Sequence, residues 1–264
     1  MYDFAYHKPS SVAEAVAILS ADPEAKPISG GQTLLPALKH RLNRPTALVD
    51  LSGIAELKSV TQEGNDLVVG AMVKHVEVAT NPLIKGAIPS LAAMASTIGD
   101  TQVRNRGTMG GSCANNDPAA DYPAAALALG ATFVTDKRSI PADEFFVGMF
   151  TTALEPDELL VAVRFPIPAK AGYAKMRNQA SRYSMAGVFV AQTADGVRVA
   201  VNGAASNAFR RPEAEAALAA NWSPEAVADL DQAPDEMNSD IHGSAEYRAH
   251  LVKIMTKRAV IDAG

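Results

Sequence analysis

Two Gly-Gly pairs, Gly30-Gly31 and Gly110-Gly111, restrict what this chain can fold into more than any other feature of its sequence. Each pair is followed by a hydroxyl or amide side chain and then by an apolar run. Glycines permit a tightly curved backbone, and without a Cβ atom they let a phosphate oxygen approach the N–H groups closely. Taken alone, each pair is more simply a tight turn. With two such segments in one chain, an anion-binding site is as well supported as two tight turns.

The familiar nucleotide-binding patterns do not occur in this chain. Neither G-x-G-x-x-G nor G-x-x-x-x-G-K-[ST] is present, so the sequence supports neither a Rossmann site nor a P-loop. The 24 Lys and Arg residues against 29 Asp and Glu residues give a formal charge of −5, which provides no electrostatic footprint for nucleic acid. A dinucleotide, if bound, requires another architecture.

Cys113 is the one cysteine among 264 residues, so no internal disulfide can form and a reducing compartment is expected. The same count excludes a self-contained iron–sulfur cluster, which normally needs four thiolates. The five histidines are scattered without helical metal-pair spacing, so no metal site is expected. No signal peptide is recognisable, and no apolar stretch reaches the about 20 residues of a membrane span. We therefore expect a cytoplasmic chain without a transmembrane segment.

Hydrophobic patterns predict a chain that mixes helices and strands. The capping-box pattern Ser11-Val-Ala-Glu14 predicts a helix that ends before Pro23, and Asn81-Pro82 opens a helical stretch that closes near Gly99. Strands are predicted at 46–51, 66–73, 131–135 and 159–165, with Gly64-Asn65 as a hairpin turn. The polar segment 104–121 is interpreted as a long loop, and such loops are more often functional than idle.

The segment from Pro166 to Gly172 contains two prolines and a glycine, and the pattern changes after it, which predicts a domain boundary. Three strands are expected next, with Asp195-Gly196 as the turn between two of them, and then an amphipathic helix from about Ser244 to Ile261. The predicted domains are 1–168, divided into subdomains of about 1–55 and 56–168, and 173–264.

Three segments carry a family resemblance: Ser29–Pro36 (SGGQTLLP), Thr108–Ser112 (TMGGS) and Asn116–Asp121 (NDPAAD). They closely resemble the FAD-binding signatures of the flavoprotein, or medium, subunits of molybdenum hydroxylases. That family includes the carbon monoxide dehydrogenase medium chain and the FAD domain of xanthine dehydrogenase. The likeness covers essentially the whole chain. It implies an α+β fold, with a PCMH or vanillyl-alcohol-oxidase type FAD-binding domain of two subdomains. A small C-terminal domain, with a three-stranded antiparallel sheet and a helical bundle, completes the implied fold.

The resemblance also implies how FAD is held. The two glycine segments would grip the diphosphate from both sides, and Asp121 would accept hydrogen bonds from a polar end of the cofactor. Tyr183 would stack on the isoalloxazine, although an ordinary tyrosine between two domains is the alternative. Cys113 is expected to pack rather than to anchor the flavin covalently. The implied cofactor-binding residues are Ser29, Gly30, Gly31, Gln32, Thr33, Leu34, Leu35, Ile98, Thr108, Gly110, Gly111, Ser112, Asp121, Leu160, Lys175 and Tyr183.

The implied function is electron transfer within a heteromeric oxidoreductase. A molybdopterin-binding large subunit would oxidise the substrate, and a small subunit with [2Fe–2S] clusters would pass electrons to this FAD, which delivers them to an external acceptor. No residue of this chain would act as a catalytic acid or base. Two alternatives stay open: a free-standing flavin oxidoreductase, and a nonenzymatic scaffold that has lost FAD. The substrate pocket is implied to lie on another chain.

Overall fold

The computed structural model describes all 264 residues and shows an α+β fold with four separate β-sheets. None of its helices combines the length and the apolar character that a membrane span requires. The sheets follow one another along the chain, so each can be described with the helices that cover it.

The first segment of the chain forms a three-stranded parallel sheet with helices between the strands. Its elements are β1 (Ala5–His7), α1 (Val12–Ala21), β2 (Lys26–Ile28), α2 (Leu34–Lys39) and β3 (Ala47–Asp50), followed by 3-10 helices at Leu51–Gly53 and Glu56–Lys58. The strand order is β1-β3-β2, with β3 buried in the centre as the sequence predicted. Ser11 caps α1, as predicted, because its Oγ accepts a hydrogen bond from the N–H of Glu14 at 3.2 Å.

The middle segment is built around a five-stranded antiparallel sheet with the order β4-β5-β10-β6-β7. Its strands are β4 (Val60–Glu63), β5 (Asp66–Gly70), β6 (Thr132–Thr135), β7 (Ser139–Pro141) and β10 (Leu160–Pro166), and a separate hairpin contains β8 (Phe146–Gly148) and β9 (Thr151–Thr152). Its helices are α3 (His75–Thr80), α4 (Pro82–Ala87), α5 (Pro89–Ser96), α6 (Thr101–Arg104), α7 (Met109–Asn115), α8 (Tyr122–Leu129) and α9 (Ala142–Phe145). Gly64-Asn65 is a hairpin turn, as predicted, but the strand that it joins to β5 is β4, which was not predicted.

Two predictions for this segment were wrong. The helical stretch from Asn81 to Gly99 is divided into α4 and α5, because Pro89 has no N–H and forces Ile88 out of the helical conformation. The segment 104–121 is not one long loop, since it contains α7. Its glycines and asparagines have low helix propensity, yet Thr108 caps this helix by accepting a hydrogen bond from the N–H of Gly111 at 3.1 Å.

The C-terminal segment forms a four-stranded antiparallel sheet with the order β11-β12-β13-β14. Its elements are β11 (Lys170–Arg177), β12 (Ser184–Thr193), β13 (Gly196–Asn202), β14 (Phe209–Arg210), α10 (Pro212–Ala220), a 3-10 helix at Pro224–Val227 and α11 (Ala245–Ala263). Three strands were expected, and the fourth has only two residues, too few to give an apolar pattern. Thr193 pairs with Gly196, so the turn between β12 and β13 is Ala194-Asp195, one residue earlier than predicted.

Helix α8 joins the middle and C-terminal segments, because all eight of its residues are buried. It is rich in alanine, and these small side chains let the helix pack closely between β10 on one side and β12 and β13 on the other. The largest apolar core accordingly extends from Phe133 and Phe145 under the five-stranded sheet to Phe189 on β12. The residues at the N-terminus of α8 are therefore held in a fixed place between the two sheets.

Phe145→Ala should lower the free energy of unfolding by about 3–5 kcal/mol, because it opens a cavity in this core. Phe145 is fully buried and stacks on Phe133 with 3.7 Å between ring centroids. The matched control is Phe150→Ala, which removes the same atoms from a side chain that is 57% exposed, and it should change the value by less than about 0.5 kcal/mol. Urea unfolding followed by circular dichroism measures both. Equal losses in the two variants would contradict this assignment of the core.

Candidate cofactor-binding site

One cavity of about 500 Å³ lies where the three segments of the chain meet. Its wall contains all but two of the residues implied by the sequence: Ser29, Gly30, Gly31, Gln32, Thr33, Leu34, Ile98, Thr108, Gly110, Gly111, Ser112, Asp121, Leu160 and Tyr183. The two exceptions, Leu35 and Lys175, lie behind the wall. Leu35 packs against Gly31, and Lys175 contacts Asp121. The fold thus brings residues far apart in the sequence to one site.

The first glycine segment, Ser29–Thr33, presents a row of free backbone donors to this cavity. None of its five N–H groups donates a hydrogen bond to any acceptor in the protein. Gly31 has φ +72°, a left-handed conformation that glycine adopts without steric cost. Successive N–H groups on a concave surface form a site for anionic oxygens. Those of Ser29, Gly30 and Gly31 belong to buried or partly buried residues, where an unbonded donor needs such a partner. This segment therefore fits the diphosphate of a dinucleotide.

The glycines also bring the two glycine segments together. A Cβ atom on Gly30 would lie 2.5 Å from the carbonyl oxygen of Arg106 and 2.6 Å from the Cα of Gly107, so even alanine would push the backbones apart. A Cβ atom on Gly111 would collide with the hydroxyl of Ser29. The close approach of these backbones, as much as the approach of a ligand, explains why glycine is required.

The second glycine segment, Thr108–Ser112, contributes differently, because the N–H groups of residues 109–112 are already bonded within the protein. Met109 donates to the carbonyl of Val73 at 3.0 Å, and Gly110 donates to that of Ala71 at 2.9 Å. The N–H of Gly111 donates to the Thr108 hydroxyl that caps α7. What this segment offers the cavity is a glycine surface and the hydroxyl of Ser112, which lines the cavity wall.

Asp121 connects the cavity wall to the C-terminal sheet. Its Oδ2 accepts a hydrogen bond from Nζ of Lys175 at 2.7 Å, and its Oδ1 accepts one from the phenol of Tyr173. The side chains of Asp121 and Lys175 are each only 5% exposed, so this is a buried ion pair. Burial and the nearby carboxylate raise the pKa of Tyr173 well above its usual value, which keeps the phenol protonated as a donor. Lys175 thus reaches the site from behind Asp121.

Tyr183 lies at the cavity on the loop between β11 and β12, and its side chain is 55% exposed. This loop is closed on itself, because Asn178 donates to the carbonyl of Tyr183 at 2.8 Å and Arg182 donates to that of Asn178 at 2.9 Å. The Arg182 guanidinium also donates to the carbonyl of Gly99 at 3.1 Å, beside Ile98 on the facing wall. The aromatic ring is thus held at the cavity with much of its surface free.

Two cavity residues were missed by the sequence analysis. Burial and the charge of Arg104 lower the pKa of His75 to about 4, so its imidazole is neutral. Hydrogen bonds from Arg138 lower the pKa of Glu158 to about 2, and this buried carboxylate also accepts from the hydroxyl of Thr135 at 2.7 Å. Neither residue lies in a recognisable motif. Only the folded chain places His75 beside the second glycine segment and Glu158 at the cavity.

Comparison with known proteins agrees with this geometry. Residues 2–168 match the family described as FAD binding domain in molybdopterin dehydrogenase, and residues 171–263 match the CO dehydrogenase flavoprotein C-terminal domain. The chain is 36% identical to the carbon monoxide dehydrogenase medium chain of Hydrogenophaga pseudoflava over 274 residues, which cover 97% of this chain and 96% of the relative. It is 37% identical to the nicotine 6-hydroxylase medium subunit of Paenarthrobacter nicotinovorans over 273 residues, 98% of this chain and 96% of that subunit.

A solved structure of carbon monoxide dehydrogenase from Hydrogenophaga pseudoflava superposes with a TM-score of 0.92 and 38% identity, covering 99% of this chain and 97% of that one. Fold, cavity and matches together define a flavoprotein with an FAD-binding domain and a C-terminal domain. The chain belongs to the FAD-binding medium subunits of the molybdenum hydroxylases, and it is an oxidoreductase subunit with FAD as its cofactor. The resemblance, the cofactor and the α+β class predicted from the sequence are confirmed.

Gly30→Ala should raise the dissociation constant for FAD by at least about tenfold, because the new methyl group separates the first glycine segment from Arg106 and Gly107. Titration of the cofactor-free chain with FAD measures the effect. Gly86→Ala is the matched control, since a Cβ atom there meets nothing within 4 Å, and this helical substitution should leave FAD affinity unchanged. Unaltered affinity in the folded Gly30 variant would remove this segment from the site.

Proposed function

We propose that this chain carries electrons between a partner subunit and an external acceptor. In this proposal, a molybdopterin-binding large subunit oxidises the substrate, and the [2Fe–2S] clusters of a small subunit deliver the electrons to this chain. FAD, when bound, supplies chemistry that links single-electron donors to a range of acceptors. The observation that carries the proposal is the row of free N–H groups in the cavity of a chain that matches medium subunits over nearly its whole length.

The proposal gives each of the two domains a part of the cofactor. Residues 1–168, as two subdomains divided near residue 55, bind the diphosphate through Ser29–Thr33 and add the hydroxyl of Ser112. Residues 173–264 cover the isoalloxazine with Tyr183 and place the ammonium group of Lys175 behind Asp121 of the cavity wall. Asp121 fixes that ammonium group in place, which is supported by their 2.7 Å contact. Leu160 and Ile98 complete the apolar part of the wall.

In this proposal the iron–sulfur clusters that deliver the electrons lie on another chain. The one thiol here, Cys113, is a residue of α7 that is fully buried in the largest apolar core. Burial raises the pKa of this thiol far above its usual value, so it stays protonated and cannot act as a thiolate ligand. An iron–sulfur cluster bound by several thiolates therefore requires another subunit.

Purification of the complex through a tag on this chain tests the proposal. We expect a flavin absorbance spectrum, release of FAD on acid precipitation, and stoichiometric iron and molybdenum from two co-purifying subunits. A yellow chain without iron or molybdenum that oxidises a small molecule by itself would replace this proposal with a free-standing flavin oxidoreductase. A colourless chain that takes up no added FAD would instead favour a scaffold.

Tyr183→Ala should leave FAD bound and increase its fluorescence, because an aromatic ring stacked on the isoalloxazine quenches emission. Stacking contributes about 0.5–1.5 kcal/mol, so FAD affinity should fall by no more than about tenfold. Tyr183→Phe keeps a ring in the same place and serves as the control, with emission close to wild type. Fluorescence titration of the cofactor-free chain measures both quantities. Unchanged emission in the alanine variant would leave Tyr183 as an ordinary surface residue.

A further inference from the structure

His75 is a cavity residue whose hydrogen-bonding capacity the protein does not use up. It begins α3, and its N–H donates to the carbonyl of Gly107 at 3.0 Å. The neighbouring Lys74 pairs with Thr108 in an isolated β-bridge. The backbone of His75 is therefore fixed against the start of the second glycine segment, while its side chain, 5% exposed, forms part of the cavity wall.

The partner of Nδ1 determines which ring nitrogen carries the proton. Tyr122 is fully buried, and its hydroxyl has one partner, Nδ1 of His75, at 3.2 Å. A buried O–H group without an acceptor is costly, so Tyr122 donates and Nδ1 accepts. Because burial lowers the pKa of His75 to about 4, the imidazole is neutral and holds one proton. That proton is on Nε2.

Nε2 of His75 has no partner in the protein and lies close to the first glycine segment. A Cβ atom on Gly107 would be 2.5 Å from Nε2, so the imidazole edge occupies the space that the missing side chain leaves. Gly107 is also in contact with Gly30, because a Cβ atom on Gly30 would lie 2.6 Å from the Cα of Gly107. Gly107 thus contacts both the imidazole edge and the first glycine segment, and all three line the same cavity.

We propose that Nε2–H of His75 donates a hydrogen bond to a phosphate oxygen of bound FAD. This proposal rests on the assignment of the diphosphate to the first glycine segment. It adds to the backbone donors a neutral side-chain donor, oriented by Tyr122 from inside the core. His75 then belongs to the binding machinery, with Tyr122 as its positioning residue.

The test compares ligands that do and do not carry phosphate. His75→Leu in the full chain should weaken binding of FAD and of ADP by about 10- to 100-fold, the range expected when a hydrogen bond to a charged group is lost. Its affinity for riboflavin, which has no phosphate, should stay within about twofold of wild type. His75→Gln, which retains a donor of similar reach, should recover most of the affinity for FAD. Equal losses for FAD and riboflavin would overturn the proposal and make His75 a structural residue.

A double-mutant cycle through Gly107 provides a second, independent test. Gly107→Ala should displace the imidazole and weaken FAD binding, whereas the same substitution added to His75→Ala should cost less than about twofold, because the space is then empty. Fully additive losses would contradict the proposed contact. A wild-type chain that binds neither FAD nor ADP would instead refute the function on which this proposal rests.

Nitrogen-15 spectra of the histidine rings provide the direct readout. The resonance absent from His75→Gln should be that of a neutral, Nε2-protonated ring in the cofactor-free chain, and it should shift on addition of FAD but not of riboflavin. A ring protonated on Nδ1, or one that does not respond to FAD, would overturn the proposal.

Discussion

The buried carboxylate of Asp121 is the point at which the cavity, the long core and the C-terminal sheet are joined. It lies at the start of α8, whose eight residues are all buried, and it pairs with Lys175 and Tyr173 on β11. A buried charge is tolerated only when it is paired and hydrogen-bonded, and loss of one partner leaves the other uncompensated. Helix α8 and strand β11 must therefore keep their relative positions for this group to be satisfied, which fixes the part of the cavity wall that contains Asp121.

The two glycine segments show that similar sequences can serve different physical ends. Ser29–Thr33 leaves its N–H groups free, whereas residues 109–112 donate theirs to the carbonyl groups of Val73 and Ala71, just after β5, and within the cap of α7. Gly30 lets the first segment lie against the backbone of Arg106 and Gly107, and Gly111 leaves room for the hydroxyl of Ser29. A rigid second segment then supports the first, whose donors have no partner of their own. Pre-organised donors of this kind cost little to align when an anion arrives.

Local patterns in the sequence predicted those parts of the fold that depend on neighbouring residues. The cap at Ser11 and the buried strand β3 follow directly from such patterns, and the contiguous segment Ser29–Thr33 could be recognised in the same way. Strand β4 escaped prediction because its side chains are mostly exposed. Helix α7 escaped because its Thr108 cap and the hydrogen bonds from Met109 and Gly110 to residues 73 and 71 outweigh its poor propensity.

The site was predictable only in part, because several of its members act through contacts made by the fold. His75 and Glu158 have partners 47 and 23 residues away, and no spacing rule connects them. Lys175 was implied as a cofactor-binding residue, and in the fold it contacts Asp121 of the cavity wall, a partner 54 residues away that no local pattern connects to it. Similarity to a family can identify such residues, but their roles depend on the residues that they contact in the folded chain.

Because the cavity wall is assembled from both domains, cofactor loading and domain docking are linked equilibria. A ligand that contacts both domains favours their docking by the same factor by which docking raises the affinity for the ligand. Loss of FAD from this chain therefore also weakens the docking of β11 against the N-terminal domain. Bound FAD thus holds the two domains together in addition to its redox role. A partner that contacts both domains would therefore slow the dissociation of the flavin without contacting it.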